Sequence, residues 1–143
     1  GIDRGAISNL IGSIRPGDYF AVMAYVPSTE EHELLLTETR LRVRDRKRIA
    51  TTVGFGPRFL HSTGQLHKGG PPSGVFLQIT AEPREDVAIP GKPWSFARVV
   101  AAQAAGDLAA LESRGRRAAN VHLGTDVAAG LEDLDRAVAE ILK

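Results

Sequence analysis

Three short runs without a single charged residue constrain this chain more than any other feature: Tyr19–Val26 (YFAVMAYV), Ile49–Phe55 (IATTVGF) and Val75–Thr80 (VFLQIT). They are too short for independent helices and rich in β-branched and aromatic residues. Their apolar character is continuous rather than alternating, so both faces of each strand are expected to be buried, as in the centre of a parallel sheet. Ala118–Leu123 (AANVHL) reads as a further strand, and Asp86–Pro90 (DVAIP) as a short fourth strand or edge segment.

Helical patterns separate these runs. Arg4–Ile14 sets Ile7, Leu10, Ile11 and Ile14 on one face, with Asp3 as its cap and Pro16-Gly17 beyond its end. Ser28-Thr29-Glu30-Glu31 opens a second helix, expected to run to about Val43 with Leu34, Leu35 and Leu41 inward. Trp94 to about Ser113 is an alanine-rich helix carrying Phe96, Val99, Val100, Leu108 and Leu111, stopped by Gly115. Gly124-Thr125-Asp126 starts a last helix, in which Val127, Leu131, Leu134, Val138 and Ile141 recur at spacings of four and three. Strands alternating with helices predict an α/β fold: a three-layer, doubly wound, mostly parallel sheet of the flavodoxin-like kind.

Composition narrows function mainly by exclusion. The 143 residues fit one domain, and 18 Lys+Arg against 17 Asp+Glu leave a formal charge of +1, so no overall field recruits nucleic acid or a membrane surface. The absence of cysteine excludes disulfides, zinc-thiolate sites and thiol catalysis. No apolar run approaches the roughly 20 residues needed to span a bilayer. A cytoplasmic protein without membrane or nucleic-acid partners is the expectation. Gly1 stands without a preceding methionine, which suggests a piece of a longer chain. The run Arg40–Arg48 (RLRVRDRKR) invites an RNA-contacting reading. No aromatic residue interleaves with its charges, however, and four glutamates between residues 30 and 38 partly balance them. A solvated helix end, where cations complement the dipole, is the expected role.

The richest chemistry lies in Gly54–Gly70 (GFGPRFLHSTGQLHKGG), which leaves the second apolar run. Its glycines allow close backbone approach to an anion, Arg58 and Lys68 supply positive charge, and His61 and His67 titrate near neutral pH. Ser62, Thr63 and Gln65 can orient His61. The pair His61/His67 has no carboxylate at metal-ligand spacing, so no metal site is expected. A tight turn whose polar side chains satisfy its own backbone remains the structural alternative. His122, beside Gly124 at a strand end, and His32, on a helix, are expected to be structural and superficial respectively.

The segment GFGPRFLHSTGQLHKGG, followed by GVFLQIT, IPG, SFA, AQAAGDLAAL and GRR, resembles the carboxyl-terminal part of phosphoglucose isomerases. It is most similar to the isomerase portion of bifunctional transaldolase/phosphoglucose isomerases. The resemblance runs from about Asp18 to Leu123, and HSTGQLHKGG is its most specific part. It implies a single sugar-isomerase (SIS) domain spanning residues 1–143 and belonging to a longer enzyme of carbohydrate metabolism. The implied reaction interconverts glucose 6-phosphate and fructose 6-phosphate without cofactor, in glycolysis and gluconeogenesis. His61 would assist opening of the sugar ring, with Arg58, Ser62, Thr63, Gln65 and Lys68 binding substrate. The family's glutamate motif, similar to Glu-Ser-x-Gly-Lys, and its Phe-Asp-Gln segment do not occur in the sequence. The base that moves the C1–C2 proton is therefore expected on the remainder of the parent chain or on a second copy in a homo-oligomer. A non-catalytic phosphosugar-binding regulatory module is the alternative.

Overall fold

A computed structural model describes residues 2–56, 73–83, 88–93 and 95–143. Its elements follow in the order α1 (Arg4–Gly12), β1 (Tyr19–Ala24), α2 (Glu30–Lys47), β2 (Ala50–Phe55), β3 (Gly74–Ala81), α3 (Phe96–Ser113), β4 (Arg117–Leu123) and α4 (Val127–Ile141). The four strands form one all-parallel sheet in the order β2-β1-β3-β4, with helices on both faces. This is a three-layer, doubly wound, flavodoxin-like arrangement, as the apolar runs predict.

The two faces are covered unequally. On one side Phe20, Val22, Ala24, Val75, Leu77, Ile79 and Val121 meet α1, α2 and α4 through Ile7, Ile11, Leu36, Val43, Leu131, Leu134 and Val138. On the other, Ala21, Met23, Tyr25 and Phe76 meet only α3 among the described residues, through Ala104 and Leu111. Period-two alternation along each strand thus sorts large aliphatics to the three-helix face and mixed, partly polar residues to the α3 face. Gln78 lies on that second side and is buried.

Local chemistry sets the helix ends. Asp3, Thr29, Ser95 and Asp126 each accept a backbone N–H two or three residues into their helix, which satisfies donors that have no intrahelical partner. After α1, Arg15-Pro16-Gly17-Asp18 turns the chain into β1. Gly17 has φ of 89°, and Asp18 N donates to Arg15 O at 3.0 Å. Asp18 Oδ2 accepts from Arg15 N at 2.7 Å and from Arg117 Nη1 at 2.8 Å, while the same guanidinium nitrogen reaches Ser13 O at 2.6 Å. The Arg117 guanidinium holds the Asp18 carboxyl below the usual carboxylate range, and the turn is pinned to β4.

Two expectations change. The second helix runs to Lys47, a turn beyond Val43, and its inward residues are Leu36, Thr39 and Val43 rather than Leu34, which is 66% exposed. Consecutive helical residues lie about 100° apart, so Leu34, Leu35 and Leu36 cannot all face inward. Leu36 is in phase with Thr39 and Val43 at spacings of three and four, and Leu35, as expected, packs half-buried against the same core. Among the described residues 88–90 of the Asp86–Pro90 segment there is no strand: Ala88 makes one antiparallel bridge to Ser95, and Lys92 N closes a turn on Ile89 O at 3.1 Å. Asp86 and Val87 lie outside the described residues. Pro90 and Pro93 carry no N–H for a ladder, so pairing stops there.

The arginines of the basic run tie the fold together. Arg42 grips Asp135 of α4 with Nε at 2.9 Å and Nη2 at 3.2 Å. Thr39 Oγ1 meets the same carboxylate at 3.1 Å, Arg46 Nε donates to Leu142 O at 2.9 Å, and Arg40 Nη1 donates to Thr51 Oγ1 at 3.2 Å. A forked, two-point bond of this kind fixes helix orientation as well as adding attraction. Among the described residues no helix is long and apolar enough to cross a membrane.

Candidate functional site

In a doubly wound sheet, ligands bind outside the carboxyl ends of the strands, where the chain order reverses. In this order the reversal falls between β1 and β3. A cavity of about 790 Å³ opens there, between the carboxyl halves of β1, β3 and β4 and the overlying α3. Its helix wall is built from small side chains, among them Ala97, Ala101, Ala104 and Ala105. Alanines at spacings of three and four keep that face of α3 shallow, and the volume that larger residues would fill stays open.

The sheet wall is polar. Gln78 and Thr80 on β3 stand opposite Asn120 and His122 on β4 in the parallel register. Asn120 Nδ2 donates to Gln78 Oε1 at 2.9 Å and to Thr80 Oγ1 at 3.2 Å. Thr80 Oγ1 and His122 Nδ1 are 2.8 Å apart, and His122 Nε2 meets Glu82 Oε1 at 3.1 Å. Inward, Gln78 Nε2 donates to Ala104 O at 2.7 Å, which fastens the sheet to α3. Tyr25 Oη donates to the carboxylate of Asp107, which α3 buries. Burial first, then the hydrogen bond and charge of Asp107, push the Tyr25 hydroxyl well above its usual range, while a hydrogen bond from Gln78 acts against them. A continuous row of hydrogen bonds therefore runs from a carboxylate in the core, Asp107, to one at the cavity rim, Glu82.

The directions of these bonds follow from donor inventory. Asn120 commits both amide hydrogens, one to Gln78 and one to Thr80. An ionised carboxylate only accepts, so Glu82 takes the hydrogen of His122 Nε2, and Nδ1 of the neutral ring then accepts from Thr80 Oγ1. Glu82 is the one formally charged side chain among the described residues lining the cavity, and neither Arg nor Lys is among them.

The residues singled out from the sequence, Arg58, His61, Ser62, Thr63, Gln65 and Lys68, lie outside the described residues. The flanking chain fixes where their segment departs and rejoins. Gly56 N donates to Ala24 O beyond the carboxyl end of β2, and Ser73 O accepts from Tyr19 N at the amino end of β3. Both flanking strands run parallel to β1, so the segment leaves from the same edge on which the cavity opens. His32 is half-buried on α2, with Nδ1 2.7 Å from Pro27 O. His122, expected to be structural, bonds Thr80 and Glu82 and also lines the cavity. Sequence reasoning misses the Gln78–Asn120 and Thr80–His122 pairs, although a polar residue at every second position of two otherwise apolar strands is the available signal.

No protein-family signature matches this chain, and no curated protein does. Among solved structures, it is similar to a hypothetical protein from Thermus thermophilus, with a TM-score of 0.78 at 18% sequence identity. That match covers 95% of this chain and 37% of the other, so the chain spans little more than a third of its structural relative. At this identity the similarity establishes the fold alone.

Proposed function

We propose that the chain is the sugar-isomerase domain of an aldose–ketose isomerase that interconverts glucose 6-phosphate and fructose 6-phosphate. The observation that carries the reading is the cavity at the β1/β3 switch point, on the sheet edge from which the segment bearing Arg58, His61 and Lys68 departs. Its mixed lining, alanines facing amide, hydroxyl and imidazole groups, suits a sugar with an apolar ring face and hydroxyls at its edge. The described wall offers no cation, so in this reading the phosphate is met by Arg58 and Lys68 and the carbon chain lies toward β3 and β4. His61 gives a proton to the ring oxygen as the sugar opens. The carboxylate that moves the C1–C2 proton comes from outside this sequence.

Calorimetric titration with glucose 6-phosphate, glucose and inorganic phosphate tests this. Glucose 6-phosphate should bind tightest, and Arg58→Ala and Lys68→Ala should each weaken it by roughly tenfold, the value of one charge-assisted hydrogen bond. Absence of binding, or affinity indifferent to both substitutions, would sink the proposal. The missing glutamate motif favours one other reading, a phosphosugar sensor. It predicts the same binding, with no isomerase activity in the complete parent protein.

A further inference from the structure

The inward stripe of α3 contains Phe96, Val100, Ala104, Asp107 and Leu111, at spacings of four and three. Ala104 and Leu111 are buried and Val100 is half-buried, but Phe96 is 59% exposed. A large apolar side chain in phase with the core is ordinarily covered. Phe96 is not, because α3 at that end passes over the cavity instead of the packed sheet, and the side chain forms part of the cavity wall. Ala97 and Ala101, which line the same space, are small. One flat apolar face therefore stands open in a cavity that alanines keep wide.

The crossover decides what lies across from it. β3 and β4 are parallel, so α3 between them runs back along the sheet, and its first turn lies at the carboxyl edge of both strands. Glu82 and His122 sit at that edge and line the same cavity. Glu82 is held from two sides: its backbone N donates to Leu123 O at 3.0 Å, and its Oε1 is 3.1 Å from His122 Nε2. Thr80 Oγ1, 2.8 Å from His122 Nδ1, braces the imidazole in turn. Among the described residues His122 is the one side chain that Glu82 bonds, so its second carboxylate oxygen is left for a ligand donor.

We propose that Phe96 and Glu82 form a subsite for a pyranose ring. The phenyl face takes the C–H face of the sugar, and the Glu82 carboxylate accepts from hydroxyls on the ring edge. A pyranose offers both features at once, an apolar face and a rim of hydroxyl donors, whereas an acidic group at the rim would meet the Glu82 charge. Phe96 and Glu82 touch the ligand; His122 and Thr80 position Glu82. The subsite rests on the phosphosugar reading only for the phosphate of the ligand, since neither residue binds an anion.

The test titrates the 143-residue chain, followed by NMR, with methyl β-glucoside, glucose 6-phosphate and sorbitol 6-phosphate, which has no ring. Phe96→Ala should weaken both ring sugars by roughly tenfold, the factor for uncovering one apolar ring face. Phe96→Trp, which restores a flat face, should recover the affinity, and sorbitol 6-phosphate should hardly respond to either. Glu82→Gln should weaken the ring sugars by roughly fivefold, because an amide oxygen accepts less strongly than a carboxylate. Phe96 is exposed, so its variants should melt within a few degrees of the parent. Failure of either ring sugar to bind at all, affinity indifferent to Phe96→Ala, or an equal loss for sorbitol 6-phosphate would overturn the subsite. Tighter binding of adenosine, whose base also stacks on aromatic rings, would overturn its assignment to sugar. The two readings part on the phosphate. If glucose 6-phosphate binds no tighter than the glucoside while both respond to Phe96→Ala, the phosphosugar reading falls and the subsite stands. If glucose 6-phosphate binds tighter and ignores Phe96→Ala, the subsite falls and the phosphosugar reading stands.

Discussion

Gly74→Ala places one methyl group where the fold has no room for it. A Cβ at that position would lie 2.4 Å from Phe76 Cζ, 2.7 Å from Phe76 Cε2 and 2.7 Å from Tyr19 Oη. Carbon atoms settle roughly 3.5–4.0 Å apart, so the overlap is about 1 Å or more. The obstructing ring is not free to swing away. Phe76 is fully buried and stands edge-on to Tyr19, with centroids 5.8 Å apart and an interplanar angle of 89°. Nor can the strand slide, because β3 is bonded to β1 on one side and β4 on the other. Overpacking of this kind costs about 1–3 kcal/mol, and a buried ring between two fixed neighbours belongs toward the upper end. Replacing Gly by Ala in a strand returns about 0.5–1 kcal/mol, which leaves a net loss near 2 kcal/mol. With a urea dependence of about 2 kcal/mol per molar, the unfolding midpoint should fall by about 1 M, read by circular dichroism. The same substitution beside Phe76→Leu should cost less, with a coupling of about 1 kcal/mol or more. An unchanged midpoint, or equal losses in both backgrounds, would refute the argument that the Phe76 ring sets the limit.

Asp18→Asn should weaken the fold at neutral pH by about 1.5–3 kcal/mol, the value of a hydrogen bond to a charged group. The folded carboxyl lies below its ordinary value, so its contribution is present above the unfolded pKa of about 3.9 and is lost as pH falls through the folded value. Acid titration of stability should therefore be flatter in Asp18→Asn; parallel curves would remove Asp18 from the linkage. Ala101→Phe, projecting from α3 into the cavity, should weaken glucose 6-phosphate binding by about tenfold or more, with a melting temperature within a few degrees of the parent; undiminished affinity would move the ligand elsewhere. The chain by itself should show no measurable conversion of glucose 6-phosphate to fructose 6-phosphate in a coupled assay, since one positioned proton-transfer group contributes only about 10²–10⁴-fold. Turnover at the level of a complete isomerase would mean that the missing base lies within these residues.

The sheet was legible in the sequence because its cause is local. Tyr19–Val26, Ile49–Phe55 and Val75–Thr80 lack charge over a length that suits only a buried strand, and the caps at Asp3, Thr29 and Asp126 act within a few residues of themselves. Parallel pairing follows from the helices between the strands. Ambiguity arose where several apolar residues compete for one face, as at Leu34–Leu36, or where prolines cut a strand-like run short, as at Ile89–Pro93. Side-chain type was readable there, but its phase against the sheet was not.

The candidate site divides along the same line. Gly54–Gly70 stands out as a candidate through composition alone, because cations, imidazoles and glycines crowd one short segment, most of which lies outside the described residues. The Thr80–His122–Glu82 row could not be read that way, since Thr80 and His122 are 42 positions apart and meet only through the β3–β4 register. Gln78 and Asn120 look like interruptions of apolar strands until the same register sets them side by side under α3. The sequence by itself determined which segments become strands and helices, because burial and capping depend on near neighbours. Only the tertiary structure decided which polar side chains share a wall, because a hydrogen bond is felt over about 3 Å and strand pairing alone brings distant residues that close.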